Sequence, residues 1–534
     1  MAAELIMITP PDPERLAWYE QSDLGNAERM KARSGGHLLH VRGRGWIAWD
    51  GRRWSYDDGE RQAEVLAHDV ARAIRDEVAA LGEQIRNGRL PKSMLSQGEE
   101  KAREIALNKL ESLHKWAIKS GNTAQIRGMV SRAAAEMTVL HDEFDVDPLA
   151  LNCRSGTLRF IEAGGEWGVE HRPHDPVDRI TRLAEVVYDP AATCPEWEAR
   201  MALIQPDEDA RAKLQVLFGY CLLGLTSDQQ FYIFQGPGGD GKSMTVGVFS
   251  KLMGDYHRHA KVQSFLEGPQ RGGSDHSGDI ARLSGDVRLV TCSEPKKRDK
   301  WDANVIKEWT GSGTITARAL REAEFEFSPR GKLLVECNGL PAVPVSDDGW
   351  WRRVNITPWP FQFAKMGVTA EQPHLLEAKL MAEASGILNW AIRGALRWLR
   401  EGRVPVARKS EKAVSEYRRS TDPFDEWYLD LCVTNDSSQS TLSTVLYGSF
   451  KAFCEAAGQE KIMSQKTFGL KLAEKQHERH KSNGQIWRIG IRLKTEAERE
   501  AEERVAEARD RAAGLHVVGH EIDLSNPDPL GDDW

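Results

Sequence analysis

Apolar positions along the chain fall into three regimes. After an aromatic stretch near residue 50, they recur at three- and four-residue spacing between charged positions, over about 60–87 and 98–140. That spacing predicts amphipathic helices, so the part up to about residue 145 reads as mostly helical. From 232 to about 360 the apolar residues come in short runs alternating with helical stretches, which predicts an α/β core. Past residue 423, helical stretches around 441–457 and 464–481 precede the strand-like GQIWRIGIRLK, and helix, helix, strand is the order of a winged helix. No internal repeat interrupts this sequence of regimes.

Local signals refine it. In GWIAWDGRRWSY, Trp46, Trp49, Trp54 and Tyr56 flank Asp50-Gly51, a hairpin turn signal; the aromatics read as a packed hairpin in preference to a base-stacking surface. DVDPLALNCRSGTLRF reads as turn, strand, turn, strand. Residues 190–225 form a helical lead-in to a glycine-rich segment, and a helix near 375–401 closes the α/β part. GRVPVARKSEKAVSEYRRSTDP reads as a basic linker, and the tail from 495 as a charged helix running into SNPDPLGDDW without structure.

Composition narrows the class more than it names it. At 534 residues the chain exceeds one core, and 40% hydrophobic with 28% charged residues is ordinary for a globular protein. The seven cysteines are scattered without a CxxC pair, which argues against a zinc site and a disulfide framework. No apolar run approaches a membrane span and the N-terminus lacks a secretory signal, so a cytoplasmic protein with no membrane partner is expected. The net charge of −8 does not advertise nucleic acid, although a local basic lining matters more than the sum.

The strongest chemical signal is YIFQGPGGDGKSMTVGVF, residues 232–249. Gly236, Gly241, Lys242 and Ser243 satisfy G-x-x-x-x-G-K-[ST] between an apolar strand and a helix. Glycines there let backbone N–H groups turn onto phosphates at the positive end of the helix. The cradle comprises Gly236, Pro237, Gly238, Gly239, Asp240, Gly241, Lys242, Ser243 and Met244. Lys242 is expected on the β- and γ-phosphates of ATP and Ser243 on Mg2+. Further on, VRLVTCSEP ends an apolar strand in Glu294, a carboxylate suited to polarising the attacking water. GKLLVECNGLP leads to Asn338, whose amide orients water or caps a turn. SDDGWWRRVNITPW carries Arg352 and Arg353 into another strand, where an arginine can reach a neighbouring subunit's ATP.

This ordered set resembles the superfamily 3 helicases, in the phage, plasmid and poxvirus primase–helicase group. The likeness runs from residue 145 to about 490 through LNCRSGTLRF, LQVLFGYCLLG, GPGGDGKS, LSGDVRLVTCSEP, IKEWTGSGTITARAL, LLVECNGLP and DDGWWRRVNITPW. It implies an AAA+ P-loop core, usually a hexameric ring translocating on single-stranded DNA and opening forked DNA. Lys242 and Ser243 then match Walker A, Glu294 the Walker B acid, Asn338 the motif C asparagine, and Arg353 the arginine finger, with Arg352 the alternative. The metal ligands implied are Ser243 and Glu294. One departure stands out: many relatives have two adjacent Walker B acids, whereas here Ser293 precedes Glu294. IKEWTGSGTITARAL matches the pore-hairpin segment, and its basic residues Lys307, Arg318 and Arg321 are expected to track the DNA backbone. Pairing with local acids is the competing expectation for each.

The implied organisation is an α/β chain: a helical N-terminal region with an aromatic hairpin (1–145), a connecting helicase-associated region (146–204) and an AAA+ ATPase domain (205–402). A basic linker (403–422), a winged-helix-like domain (423–494) and a charged tail (495–534) complete it. Relatives often carry a primase, but Asp145-Val-Asp147 and Ser112-Leu-His114 stand in reverse of the usual order, and Asp147-Pro148 reads as a turn. A separate primase or polymerase partner is therefore expected. The winged-helix-like unit offers Lys466, Lys471, Lys475 and Lys481 as a groove-binding face or a merely solvated one. The function expected is an ATP-dependent replicative helicase of a phage, prophage or plasmid in a bacterial host. An ATP-gated origin-binding or loading protein is the alternative.

Overall fold

The computed structural model describes residues 11–501, apart from 97, 269–276, 297–298, 312, 319–323, 344–347, 368–370, 435–437 and 457–461. It divides into two compact units, Met1–Val414 and Ser415–Trp534. The division falls inside a helix, Arg408–Thr421, in the stretch read from sequence as a linker. No helix among the described residues is long and apolar enough to cross a membrane.

The first unit opens with helices Asp23–Arg33, Gly59–Arg86, Glu99–Lys119 and Thr123–Glu136. In the longest, Ala63, Ala67, Val70, Ala71, Ile74 and Leu81 are buried at helical spacing, which is the apolar stripe the sequence displays. An ion pair is buried among them: Arg29 Nε donates to Glu77 Oε2 at 2.9 Å with both side chains fully inaccessible. Arg29 also donates to the carbonyls of Glu20, Gly25 and Leu16, so four of its five N–H protons are engaged, which helps offset the burial of its charge. Strands β1 (Leu38–Val41), β2 (Gly45–Trp49), β3 (Trp54–Ser55) and β4 (Thr138–Val139) form one sheet in the order β3-β2-β1-β4. Asp50 Oδ1 accepts from the Arg52 and Arg53 amides to close the β2–β3 turn, and Trp54 is buried edge-on against Phe144. The aromatic hairpin is packed.

Strands β5 (Ala150–Cys153), β6 (Gly156–Ala163) and β7 (Glu166–Arg172) follow as an antiparallel meander. The acids just before it do not converge. Asp145 is buried and accepts from the Thr181 amide and hydroxyl, whereas Asp147 lies 3.4 Å from Arg159 Nε.

The core of this unit is a parallel sheet of β8 (Phe231–Gln235), β9 (His257–His259), β10 (Leu289–Ser293), β13 (Lys332–Cys337) and β14 (Val354–Pro358). Between β10 and β13 the chain inserts an antiparallel pair, β11 (Ile315–Arg318) and β12 (Glu324–Phe327). The five strands lie in the order β14-β8-β13-β10-β9, so in chain order they read 5-1-4-3-2. All four pairings are parallel, which puts every strand's carboxyl end on one edge. Helix Glu208–Cys221 crosses helix Ala384–Glu401 against this sheet, with Trp197, Phe218 and Trp390 packed between. The crossing depends on glycine. A methyl group on Gly394 would stand 2.0 Å from the Gln215 carbonyl oxygen, and one on Gly219 would stand 2.1 Å from the Ala395 nitrogen.

The second unit packs Phe424, Trp427, Phe450 and Phe468 into a small core. Its helices are Pro423–Leu431, Ser443–Ala456 and Gln465–Glu474. Strands β15 (Cys432–Val433), β16 (Ser440–Leu442), β17 (Arg479–Ser482), β18 (Gln485–Ile489) and β19 (Arg492–Leu493) complete it, with β17 and β18 a hairpin.

Gly394→Ala should destabilise the protein by about 1–3 kcal/mol, the usual range for overpacking. Gly448→Ala, on a helix with nothing within 4 Å of the added methyl, should be neutral or stabilising. Chemical denaturation of the two variants checks this; equal stability would show that the helix crossing yields freely.

Candidate nucleotide site

The site is built on the carboxyl edge of the parallel sheet. β8 ends at Gln235, and the chain turns through Gly236–Gly241 into the helix Lys242–Met253. Gly238, Gly239 and Gly241 have φ of 92°, 61° and 86°, the left-handed region that side chains resist. Consecutive residues in such a turn present their N–H groups together, at the positive end of the helix. Pro237 is exposed on the turn, and Met244 packs half-buried onto the main core.

Lys242 and Asp240 are buried at the centre of the turn. Lys242 Nζ is paired with Asp240 Oδ2 and donates to the Gly236 carbonyl at 3.1 Å. Asp240 Oδ1 accepts from the Lys242 amide at 3.2 Å, and Oδ2 from the Gly238 amide at 3.4 Å. A side chain at Gly236 would not fit, because its Cβ would stand 2.2 Å from Asp240 Oδ2. Asp240 therefore supplies the negative charge that the lysine and the amides face.

The neighbouring strands bring their own groups to the same edge. The Gly236 amide donates to Cys337 at 3.1 Å, so the turn begins beside the end of β13. Asn338 follows directly and is exposed; its amide lies about 4 Å from where a Gly238 Cβ would be, at 3.9 and 4.0 Å. Glu294 leaves β10 with φ of 57°, held by its amide donating to the Glu336 carbonyl at 2.9 Å. A left-handed glutamate is uncommon and costs on the order of 1 kcal/mol, and here it directs an exposed carboxylate off the strand end.

Glu336 was not among the residues expected from sequence. Its Oε2 accepts from the Ser243 hydroxyl at 2.8 Å. Burial pushes its carboxyl above the usual range, while the Ser243 hydroxyl and Lys242 oppose the shift and Asp240 and Glu294 add to it. The signal was present: a lone acid following the apolar run LLV in KLLVEC.

The remaining expected residues lie elsewhere. Arg352 is exposed and Arg353 is 9% exposed, both just before β14. Val354 pairs with Phe231, so the two arginines stand at the opposite end of the strands from their own glycine turn. At about 3.3 Å per strand residue that is roughly 13 Å or more away. Trp350, fully buried against Phe231 and Trp301, anchors the segment. Arg318 is exposed at the end of β11, opposite Glu324 of β12, and Lys307 is half-buried on the helix Ala303–Thr310. Arg321 lies outside the described residues, as does most of the charged tail. In the second unit, Lys471 pairs with Asp422 and Lys475 with Asp425, while Lys466 and Lys481 are exposed.

Residues 27–206 match the family described as D5 N terminal like, a stretch that covers the helical N-terminal part and the meander. Among curated relatives, "Putative helicase L207/L206" of Acanthamoeba polyphaga mimivirus is 28% identical over 255 residues, 45% of this chain and 26% of that protein. "Putative helicase 022R" of Frog virus 3 is 30% identical over 175 residues, 32% of this chain and 18% of that protein. "Putative primase C962R" of African swine fever virus is 21% identical over 213 residues, 39% of this chain and 22% of that protein. This chain thus spans less than a third of the length of the curated relatives it matches. The apo C-terminal region of NrS-1 overlays at a TM-score of 0.42 with 13% identity over 69% of this chain and 90% of that one, too loosely for any residue correspondence. The fold is α/β around a parallel sheet, and the chain is similar to the D5 N terminal like family over residues 27–206 and to viral proteins named putative helicase or putative primase.

The donor set fits Mg2+-nucleotide: a positive-φ glycine turn with no room for a side chain at its first position, a buried lysine, a hydroxyl and adjacent carboxylates. Lys242→Ala should weaken binding of a fluorescent ATP analogue by about tenfold or more while the protein stays folded, since each tenfold is about 1.4 kcal/mol. Asp240→Asn should tighten it, because the amide keeps an acceptor and removes a carboxylate that repels phosphate and occupies the lysine. Weaker binding by a folded Asp240→Asn protein would instead make the carboxylate a brace for the turn.

Proposed function

We propose that this chain is an ATP-driven DNA helicase subunit serving replication of a phage, prophage or plasmid in its bacterial host. The observation that carries the reading is the meeting of Lys242, Ser243, Asn338 and Glu294 on one edge of a 5-1-4-3-2 parallel sheet. That edge is where open α/β sheets bind ligands. The sheet order and glycine turn support an AAA+ P-loop core, and the helicase and primase names of the relatives support a nucleic-acid role.

In this reading Lys242 leaves Asp240 for the β- and γ-phosphates, and the turn's amides hold the remaining oxygens. Glu294, aimed off β10, orients and deprotonates water, and Asn338 fixes that water against the γ-phosphate. Ser243 and Glu294 would hold Mg2+, which when bound offsets phosphate charge. The arginine before β14 is too far to serve its own site, which suits a finger acting in trans within a ring, the hexamer being the family's usual form. Arg353 holds the matching position; at 9% exposure its guanidinium must turn outward as subunits meet, and exposed Arg352 is the alternative. Arg318 and Lys307 would meet single-stranded DNA in the channel of that ring, as the sequence also suggests for Arg321. A primase or polymerase acts as a separate partner.

The three helices and the β17–β18 hairpin of the second unit support reading it as a winged helix. Neutralisation of Lys471 and Lys475 by Asp422 and Asp425 leaves it a thin basic face. That weighs against the alternative of an origin-binding protein reading duplex DNA through this helix.

Glu294→Gln should bind ATP and hydrolyse it slowly, because the amide keeps the shape and loses the charge. Arg353→Ala subunits should bind nucleotide yet be inactive alone, with a loss of about 10³–10⁵. Mixing the two should restore part of the turnover, since a composite site then holds one intact copy of each residue, and single-stranded DNA should stimulate the wild type. Rescue of Arg352→Ala in place of Arg353→Ala would transfer the role to Arg352. ATPase that is concentration-independent down to the monomer and indifferent to both arginines would overturn the shared site.

A further inference from the structure

Ser243 is the hydroxyl expected on the metal, and in this chain it already has a carboxylate partner. That partner is Glu336, on β13, at 2.8 Å. Parallel pairing sets Glu336 beside Ser293 of β10, in register, with Glu294 next in the chain. Neighbouring strands lie about 4.8 Å apart and paired residues share a face, so a carboxylate at 336 occupies space adjacent to a side chain at 293. Position 293, directly before Glu294, is a serine, so this strand end offers one acid of its own. Among the described residues no three His, Cys, Asp or Glu side chains form a metal cage of their own. A Mg2+ ion takes one or two protein carboxylates and completes its shell with phosphate oxygens and water.

We infer that Glu336 is the second carboxylate of the Mg2+ site, reaching from the neighbouring strand to orient Ser243 and to hold the ion's shell in the place left by Ser293. The inference rests on the nucleotide reading of this edge. Several features agree with it. Glu336 is a half-buried acid in a strand whose other residues are apolar apart from the lysine at its start. Its backbone carbonyl also holds Glu294 in its left-handed conformation, so both carboxylates are fixed by one short stretch of β13. Without a cation, Asp240 and Glu294 each oppose the charge of Glu336, beside a lysine already paired with Asp240; a divalent ion would relieve that repulsion.

The test measures Mg2+ dependence of nucleotide binding, with no turnover required. A fluorescent ADP is titrated onto the full chain at a series of Mg2+ concentrations. Wild type should bind tighter as Mg2+ rises. In Glu336→Gln the half-maximal Mg2+ concentration should rise tenfold or more, the usual cost of losing a group that positions metal ligands. Binding without Mg2+ should be equal or tighter, because a negative charge has gone. Adding Ser293→Asp to Glu336→Gln should restore Mg2+ sensitivity, since the acid returns from the adjacent strand. A purely structural Glu336 predicts no such rescue. A Glu336→Gln protein with the wild-type Mg2+ response sinks the inference and leaves the nucleotide site standing. A folded double variant without rescue sinks it too. Wild type that binds no nucleotide, with or without Mg2+, removes the underlying reading of the edge instead.

Discussion

Backbone pairing of β8 with β13 is the constraint on which the site depends. The register Cys337 to Gln235 starts the glycine turn and Asn338 side by side. The bond from the Gly236 amide to Cys337 fixes the first residue of that turn. One strand further, β10 meets β13 with Ser293 beside Glu336, and the Glu294 amide takes the Glu336 carbonyl. A slip of one residue in either pairing would send Ser243's partner to the other face of the sheet. The precision of the edge is therefore a property of the apolar strands, Phe231–Gln235 and Lys332–Cys337, whose side chains bury on both faces.

Around that edge the chain separates charge by role. Deep ion pairs such as Arg29–Glu77 and Arg288–Asp286 are almost wholly inaccessible, and their arginines also donate to backbone carbonyls, tying helices and loops together. Lys242 and Asp240 are buried as well, but they sit on the glycine turn within electrostatic reach of Glu336, the carboxylate that accepts from Ser243. A pair that can exchange partners at an opening is suited to binding an anion; one sealed among helices is suited to holding a fold.

Much of this was legible in the sequence because it rests on local chemistry. The glycine turn, the strand ahead of it and the helix behind it follow from residue type and spacing, as does the packed Asp50-Gly51 hairpin. Glu336 was not, because its role comes from strand register, and a sequence does not say that residues 293 and 336 are neighbours. The partners of Lys471 and Lys475 were hidden for the same reason: Asp422 and Asp425 lie about fifty positions earlier and meet them only through packing. Arg352 and Arg353 are adjacent in sequence and chemically identical, so only the fold separates the exposed one from the buried one. Asp145 and Asp147 show the reverse case, a suggestive pair whose members turn to Thr181 and Arg159.

ATP spent at this edge is proposed to separate DNA strands. The most direct measurement is strand displacement from forked duplexes carrying 3′ or 5′ single-stranded tails, with ATP and Mg2+, by wild type and by Lys242→Ala. The account predicts that wild type releases the labelled strand from at least one fork only when ATP is hydrolysed, and that Lys242→Ala releases none. ATP hydrolysis that ignores single-stranded DNA, with neither fork opened by active wild-type protein, would contradict it.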